Sequence, residues 1–425
     1  MSHGAVGSKF PPKPQTVSRL STPSGKFGTS DRDVPDFFPK ISSLVAFSHL
    51  RWDFVFQRPH HLLTRFARDH EVFYIEEPLF DGERPHLESR TKMPGLTVVT
   101  PHLPLGISES EAHSLLSDLL HSCRSSLRLD DSVHWFYTPM ALNFTRHFQP
   151  RGIVYDCMDE LSLFKDAHPA LPILEKELFE KADIVFTGGY SLFEHKKSSH
   201  RNIHPFPSSI DAAHFAQARL PAAQRPIDQA AISGKKIGFF GVIDERMDIL
   251  ILDGIARARP NWSLILLGPV LKIDPATLPR HPNLHYLGAK HYSELPAYLA
   301  DWDVAILPFA KNPSTRFISP TKTPEYLAAG KPVVSTSIRD VVYPYKKEGL
   351  VAIADTSESF VEEIESILNR SSSERDQWLK QVDRFLENHS WDKTWTQMSQ
   401  LMYQSVLTSQ LNSEGGERQL LRRAQ

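Results

Sequence analysis

From Ile41 onward, short apolar runs alternate with segments whose apolar residues fall at helical spacing, and this alternation passes through the chain twice. SLVAFSH is followed by PHHLLTRFARD, in which Leu62, Leu63, Phe66 and Ala67 share one helical face. The same order recurs in EVFYIE and TVVT, helical EAHSLLSDLLHSCRSSL, VHWFY, GIVYD, helical LPILEKELFEKA and DIVFTG. Apolar runs of this length between helices are the pattern of parallel strands buried on both faces, because crossover helices cover the sheet from both sides. All-helical and all-strand folds are excluded. A second series starts at KIGFFG and continues through helical MDILILDGIARA, strands WSLILLG and LHYLG, helical SELPAYLADW, strand VAILPF, helical PEYLAAG, strand KPVVST and helical SFVEEIESILNR.

Two α/β units in one chain predict two doubly wound parallel-sheet domains facing a cleft, since ligands bind beyond the carboxyl ends of such strands. The predicted division is a disordered tail at 1–39, rich in Pro and Ser, a first Rossmann-like domain at 40–216 and a linker at 217–234 rich in Ala, Pro and Gln. A second Rossmann-like domain follows at 235–370, then helices at 371–407 that pack back on the first domain, and a frayed tail at 408–425. Trp378, Trp391, Trp395, Met398 and Met402 make the late helices apolar enough to need a packing partner.

Charge narrows the function. Forty-eight Lys and Arg against 50 Asp and Glu leave a net charge of −2, so no global basic field recruits nucleic acid, and any bound anion must be gripped locally. Two cysteines, Cys123 and Cys157, are too few for a disulfide framework and point to a reducing compartment, with the cytoplasm the expected location. No stretch reaches the ~20 apolar residues of a membrane-spanning helix. Glycine is scarce, 20 residues against 32 prolines, which argues against a glycine-rich loop wrapped around phosphate.

Ser319 to Thr336 carries the most chemistry. Ser319, Pro320 and Thr321 read as a helix opening, with a capping residue and a helix-starting proline, where free backbone N–H groups form an anion site. Lys322 adds a point charge, and Glu325, about one turn on, can accept two hydroxyls, as from a ribose. A solvated Lys and Glu on a well-capped helix is the plain alternative.

The run SPTKTPEYLAAGKPVV resembles the donor-binding element of retaining glycosyltransferases of the GT-B fold. The resemblance implies that Glu325 holds the ribose of a nucleotide sugar, that Lys322 faces its diphosphate, and that Ser319 to Thr321 form the backbone cradle. The commoner family pattern has a second glutamate eight residues earlier, where this chain has Phe317; Asn312, Thr315 and Arg316 are the polar groups expected to replace it on the donor side. GFFGVIDERMDI resembles the family's strand, glycine, loop and helix, with Gly241 admitting the diphosphate and Arg246 neutralising it. The resemblance spans about Lys235 to Leu368 closely and about Ser42 to Leu407 loosely.

In the first unit HLRWDFVFQRPHH stands where the family usually has a glycine pair. Gln57 and Arg58 are placed to meet an anion or a sugar; Trp52 and Phe54 either stack on a sugar or cover the sheet edge. Asp156 ends a strand and Asp159 follows in the turn, both expected on the acceptor side, while Glu160 reads equally as a surface residue. Asp301 and Asp303 spell Asp-x-Asp but lead into a strand from its N-terminal end, which predicts a structural role.

The resemblance thus implies a metal-independent, retaining transfer of sugar from a nucleoside-diphosphate sugar to a carbohydrate or glycolipid acceptor, with Arg246 and Lys322 as catalytic cations and no cofactor. It also implies a cell-surface polysaccharide or glycolipid product and peripheral association with the inner face of the membrane. Rival readings are a nucleotide-sugar epimerase or sugar phosphorylase of the same fold and a noncatalytic sugar-binding protein. A Rossmann oxidoreductase is disfavoured because no strand is followed by G-x-G-x-x-G.

Overall fold

The computed structural model describes residues 41, 43–220 and 226–423, with the side chains of 412–423 left aside, and it divides the described residues into two sheet-centred lobes. The tail predicted at 1–39 lies outside these residues. Strands of the first lobe are β1 (Ser43–Phe47), β2 (Glu71–Ile75), β3 (Leu79–Gly82), β4 (His86–Met93), β5 (Leu96–Pro104), β6 (Val133–Phe136), β7 (Gly152–Cys157), β8 (Ile184–Thr187) and β9 (Ile203–Pro205). They lie in the order β3-β5-β2-β1-β6-β7-β8-β9, all parallel except β4, which pairs antiparallel with β5. The second lobe has β10 (Lys235–Phe240), β11 (Trp262–Leu267), β12 (Leu284–Tyr286), β13 (Val304–Leu307), β14 (Val333–Ser335) and β15 (Val351–Ile353), in the order β12-β11-β10-β13-β14-β15, all parallel.

Alternation along β1 shows why the runs read as buried strands. Leu44 and Ala46 enter one core while Val45 and Phe47 enter the core on the opposite face. Both faces are covered, so no polar position is needed within the strand. In each sheet the strand order reverses beside the first strand, at β1/β6 and at β10/β13, and a crevice opens outside the carboxyl ends at such a reversal.

The chain enters the second lobe earlier than position 216: Ile210, Phe215 and Ala218 belong to the second core. The described end of the linker is also built in, since the Gln229 side chain accepts from Trp302 Nε1 at 3.0 Å. Only one of the two late helices crosses back. Ser372–Leu386 buries Trp378, Val382 and Leu386 in the second lobe, whereas Trp391–Arg423 places Trp391, Met398, Met402 and Val406 in the first. Trp391 stacks on His61 with ring centres 4.5 Å apart, and Asp392 receives Arg65 Nη2 at 2.9 Å. This second helix continues to Arg423, through the segment predicted to fray.

The edge strands β3 and β4, each paired with β5, left no trace in the apolar pattern, because LFDG and HLESRTKM are largely exposed and mostly polar.

Candidate active site

The carboxyl ends of β10 and β11 are bare backbone. Gly241 has φ +139° and Gly268 φ +146°, and a Cβ on Gly268 would come within 1.9 Å of the Gly241 carbonyl oxygen. Any other residue at either place would fill the floor of the cleft and strain the backbone. Lys322 lies across this floor: a Cβ on Gly241 would sit 2.1 Å from Lys322 Cε and 2.8 Å from Nζ. The helix that carries the lysine, Lys322–Ala328, is tied to β10 by the Tyr326 hydroxyl, which accepts from Phe240 N at 2.9 Å. No side chain caps this helix, contrary to the Ser-Pro-Thr reading, so its first amides are left to other partners.

Arg246 arrives on the loop after β10. Asp244 fixes it by a fork of bonds, Nε to Oδ1 at 2.9 Å and Nη2 to Oδ2 at 2.6 Å, and the Phe164 ring of the first lobe lies 5.6 Å from its guanidinium carbon. Asn312 Nδ2 donates to Glu245 O at 2.8 Å, and Ala310 N donates to Arg246 O at 2.8 Å, bracing the loop from β13.

Together these elements bound an interlobe cleft of about 850 Å³. Gly241, Gly268, Arg246, Ser319, Thr321, Lys322 and Glu325 line it from the second lobe, and Trp52, Phe54, Phe56, Gln57, Asp159 and Gly188 are among its first-lobe lining. Burial dominates its electrostatics. It pushes the Glu325 carboxyl up to about 8, against the pull of Lys322, and it lowers the Lys322 ammonium, with Glu325 opposing and Arg246 reinforcing that shift. Asp159 is raised by burial and held back by Arg246, Arg58 and Lys322. Two cations from separate elements and a buried glutamate therefore face one space.

The first lobe's long loop is anchored rather than loose. Trp52 N donates to the buried Glu76 at 2.7 Å, Arg51 Nη2 donates to Pro78 O at 3.1 Å, and Asp53 pairs with Arg90 and Lys92 on the edge strand. Trp52 does two jobs: it lines the cleft and also packs on His60 and Tyr74. Gln57 N donates to His60 Nδ1 at 3.0 Å at the start of helix Arg58–Phe66. Phe56 stacks on Tyr292 of the second lobe, centres 4.3 Å apart, and Tyr292 stacks on His214 at 4.4 Å, so rings cross between lobes at the cleft's edge.

Several expected ligands have other work. Arg58 and Asp156 form a buried ion pair, Nε to Oδ2 at 2.9 Å, and Arg58 also donates to Phe206 O at 2.7 Å; Arg58 still lines the cleft, whereas Asp156 lies behind it as the partner of Arg58. Asp156 is fully buried because it ends a central strand. Arg316 is exposed and lies over Phe317, and Phe317 stacks on His195 of the first lobe at 4.4 Å. The place of the family's second glutamate is thus an apolar contact between lobes. Asn312 and Pro320 are absent from the described cleft lining, Asn312 acting as the brace noted above. Glu160, far from being a surface residue, is buried against Lys196, Nζ to Oε2 at 2.5 Å. Asp301 and Asp303 pair with Lys236 and Lys235.

Three residues escaped the sequence reading. Asp244, the partner of Arg246, was visible two residues before it. Tyr292 carried no signal, since its role depends on Phe56 reaching it from 236 positions away. Asp340 accepts from Ser191 N at 2.9 Å, and a Cβ on Gly189 would meet Asp340 Oδ2 at 2.2 Å and Ser319 Cβ at 2.7 Å. The turn at Gly188–Gly189 is therefore the seat of one lobe on the other, directly beside Ser319.

Residues 234–370 match the family model described as glycosyl transferases group 1. Over 249 residues the chain is 25% identical to a putative teichuronic acid biosynthesis glycosyltransferase of Bacillus subtilis (strain 168), across 52% of this chain and 60% of that protein's length. Among solved structures, a sucrose-phosphate synthase from Thermosynechococcus elongatus superposes with a TM-score of 0.63 at 14% identity, covering 87% of this chain and all of the other. An Escherichia coli structure titled trehalose-6-phosphate, bound with UDP-2-fluoro glucose, gives a TM-score of 0.63 at 13% identity over 85% of this chain and 99% of the other. These likenesses show a two-lobed GT-B fold, and within its second lobe residues 234–370 are similar to the glycosyl transferases group 1 family.

Proposed function

We propose that the protein transfers a glycosyl group from a nucleoside-diphosphate sugar to a carbohydrate or glycolipid acceptor, with retention of anomeric configuration and without an essential metal. The convergence of Lys322 and Arg246 with Glu325 over the Gly241–Gly268 floor carries this reading. A diphosphate leaving group develops negative charge, and preorganised cations in a cleft shielded from water stabilise it more than they stabilise the bound donor. Arg246 is aimed by Asp244, and Lys322 by its seat against Gly241, so neither must reorganise during the reaction. Glu325 is assigned the ribose, whose two hydroxyls would supply the buried carboxylate with hydrogen bonds.

The comparisons support the coarser parts of this reading. The Bacillus relative's name concerns a cell-surface polymer, the Escherichia coli protein was bound with a UDP sugar analogue, and a further similar structure, 14% identical, concerns glycosyl transfer with retention. By extension the acceptor here is a cell-surface glycan or its lipid-linked precursor, worked on at the cytoplasmic face; among the described residues no helix is long and apolar enough to cross a membrane. The leaving phosphate is assigned the acceptor's proton, so no side chain is assigned as nucleophile or base.

Calorimetry with UDP, GDP and ADP tests the donor reading: one of them binds, and Glu325→Ala weakens that binding. Binding unaltered by the substitution would remove the ribose role. Turnover that persists in EDTA supports the metal-free part, and its loss would overturn that part alone.

A further inference from the structure

Among the described residues that line the cleft, three are acidic: Asp53, Asp159 and Glu325. Asp53 is committed to Arg90 and Lys92 at 2.9 and 2.6 Å, and Glu325 belongs to the helix that carries Lys322. Asp159 differs from both, because no described side chain hydrogen-bonds its carboxylate, and the groups that act on it electrostatically are Arg246, Arg58 and Lys322. Arg58 is already spent on Asp156. Asp159 therefore lines the same cleft as the two cations assigned to the leaving diphosphate, from the opposite lobe.

Its backbone is held firmly. Cys157 Sγ donates to Asp159 O at 3.6 Å, and the next residue, Glu160, is clamped by Lys196 at 2.5 Å and Ser162 Oγ at 2.6 Å. Lys196 in turn reaches Glu175 at 2.5 Å.

Once a diphosphate takes Arg246 and Lys322, Asp159 loses its countercharges and acquires a like charge as neighbour. A shielded carboxylate in that position is costly unless hydrogen-bond donors reach it. The group bonded directly to the distal phosphate is the transferred sugar, so its hydroxyls come within reach before those of an acceptor. Among the described residues lining the cleft, the second lobe offers no carboxylate besides Glu325, and the Phe317 position is an apolar contact with His195.

We propose that Asp159 accepts hydroxyls of the transferred sugar, so that selection of the sugar is exerted from the first lobe across the cleft. This rests on the glycosyltransferase reading and replaces the acceptor-side role expected for Asp159 from the sequence.

Calorimetry on the full chain, with matched pairs UDP and UDP-glucose, GDP and GDP-mannose, and ADP and ADP-glucose, separates the parts. For the pair that wild type binds, Asp159→Asn should leave the nucleoside diphosphate bound as well or better while the nucleotide sugar loses roughly ten- to hundredfold in affinity. Asp159→Ser, checked by thermal melting, serves if the asparagine variant fails to fold. Equal loss for both members of the pair would mean that Asp159 only positions the cations and would overturn the inference. An unchanged ratio, with an effect appearing only when an acceptor is added, would return Asp159 to the acceptor side and overturn it too. If wild type binds none of the six, the glycosyltransferase reading falls first and takes the inference with it.

Discussion

Gly241 and Lys322 touch so closely that a single methyl group on the glycine would stand 2.1 Å from the lysine's Cε. The reach of the cation over the cleft floor thus depends on the absence of a side chain at the end of the neighbouring strand.

Gly241→Ala should therefore injure the site from outside it. The positive φ costs about 1–3 kcal/mol in stability, and Lys322 must move. Calorimetry should show weaker binding of the preferred nucleoside diphosphate in a protein that still melts cooperatively. Undiminished affinity would show that the lysine's seat is not what fixes the cation.

Lys322→Met keeps the side chain's length and removes its charge. Turnover with the donor identified by binding should fall by roughly 10²–10³-fold, the range seen when one preorganised donor to a developing anion is lost. The melting temperature should hold or rise, because burial already disfavours the ammonium there. Arg246→Ala is less clean: it leaves Asp244, itself buried, without its partner, and should lower both activity and stability.

Burial raises the Glu325 carboxyl from 4.5 to about 8. Between those values the folded chain holds a proton that the unfolded chain has released, so this residue's contribution to stability diminishes as pH rises through that window. Denaturant titrations at pH 5 and pH 8 should show that decline in wild type and a flatter dependence in Glu325→Gln. A bound nucleotide, by supplying hydroxyl donors to the carboxylate, should reduce the difference.

His134 behaves in the opposite sense. It is 1% exposed, its Nε2 donates to Leu129 O at 2.8 Å, and burial depresses it to about 4. As pH falls from 6.5 toward 4 the unfolded chain takes up a proton that the folded one refuses, and stability drops. His134→Asn should lessen that acid-side slope in denaturant titrations; an unchanged slope would place the acid sensitivity elsewhere.

Asp156→Ala should unfold rather than merely inactivate. It strands the Arg58 guanidinium, 4% exposed, without its countercharge, and breaking one side of a buried pair typically costs about 3–5 kcal/mol. Replacing both residues together with apolar ones of similar volume should recover part of that loss. If the single variant keeps wild-type stability and loses only acceptor binding, the pair is not structural.

The two-lobed parallel-sheet architecture was legible in the residue order, since a strand buried on both faces must be apolar throughout and a crossover helix must be apolar on one side. Lys322 and Glu325 were readable from their spacing at one helix start, and Gly241 and Arg246 from the resemblance of their strand, loop and helix to a known family; each pair lies within one strand-turn-helix unit, and the structure brings all four to one cleft. The shortage of glycine was informative as well, for the cleft floor uses isolated glycines at 241 and 268 in place of a glycine-rich loop. What the sequence could not decide was which charges would meet. Arg58 finds Asp156 98 residues away, Phe317 finds His195, Phe56 finds Tyr292, and Asp159 lines the same cleft as the cations of the other lobe. Burial turns a polar residue into either a structural pair or a free ligand according to what tertiary packing brings opposite it, and local spacing carries no record of that partner.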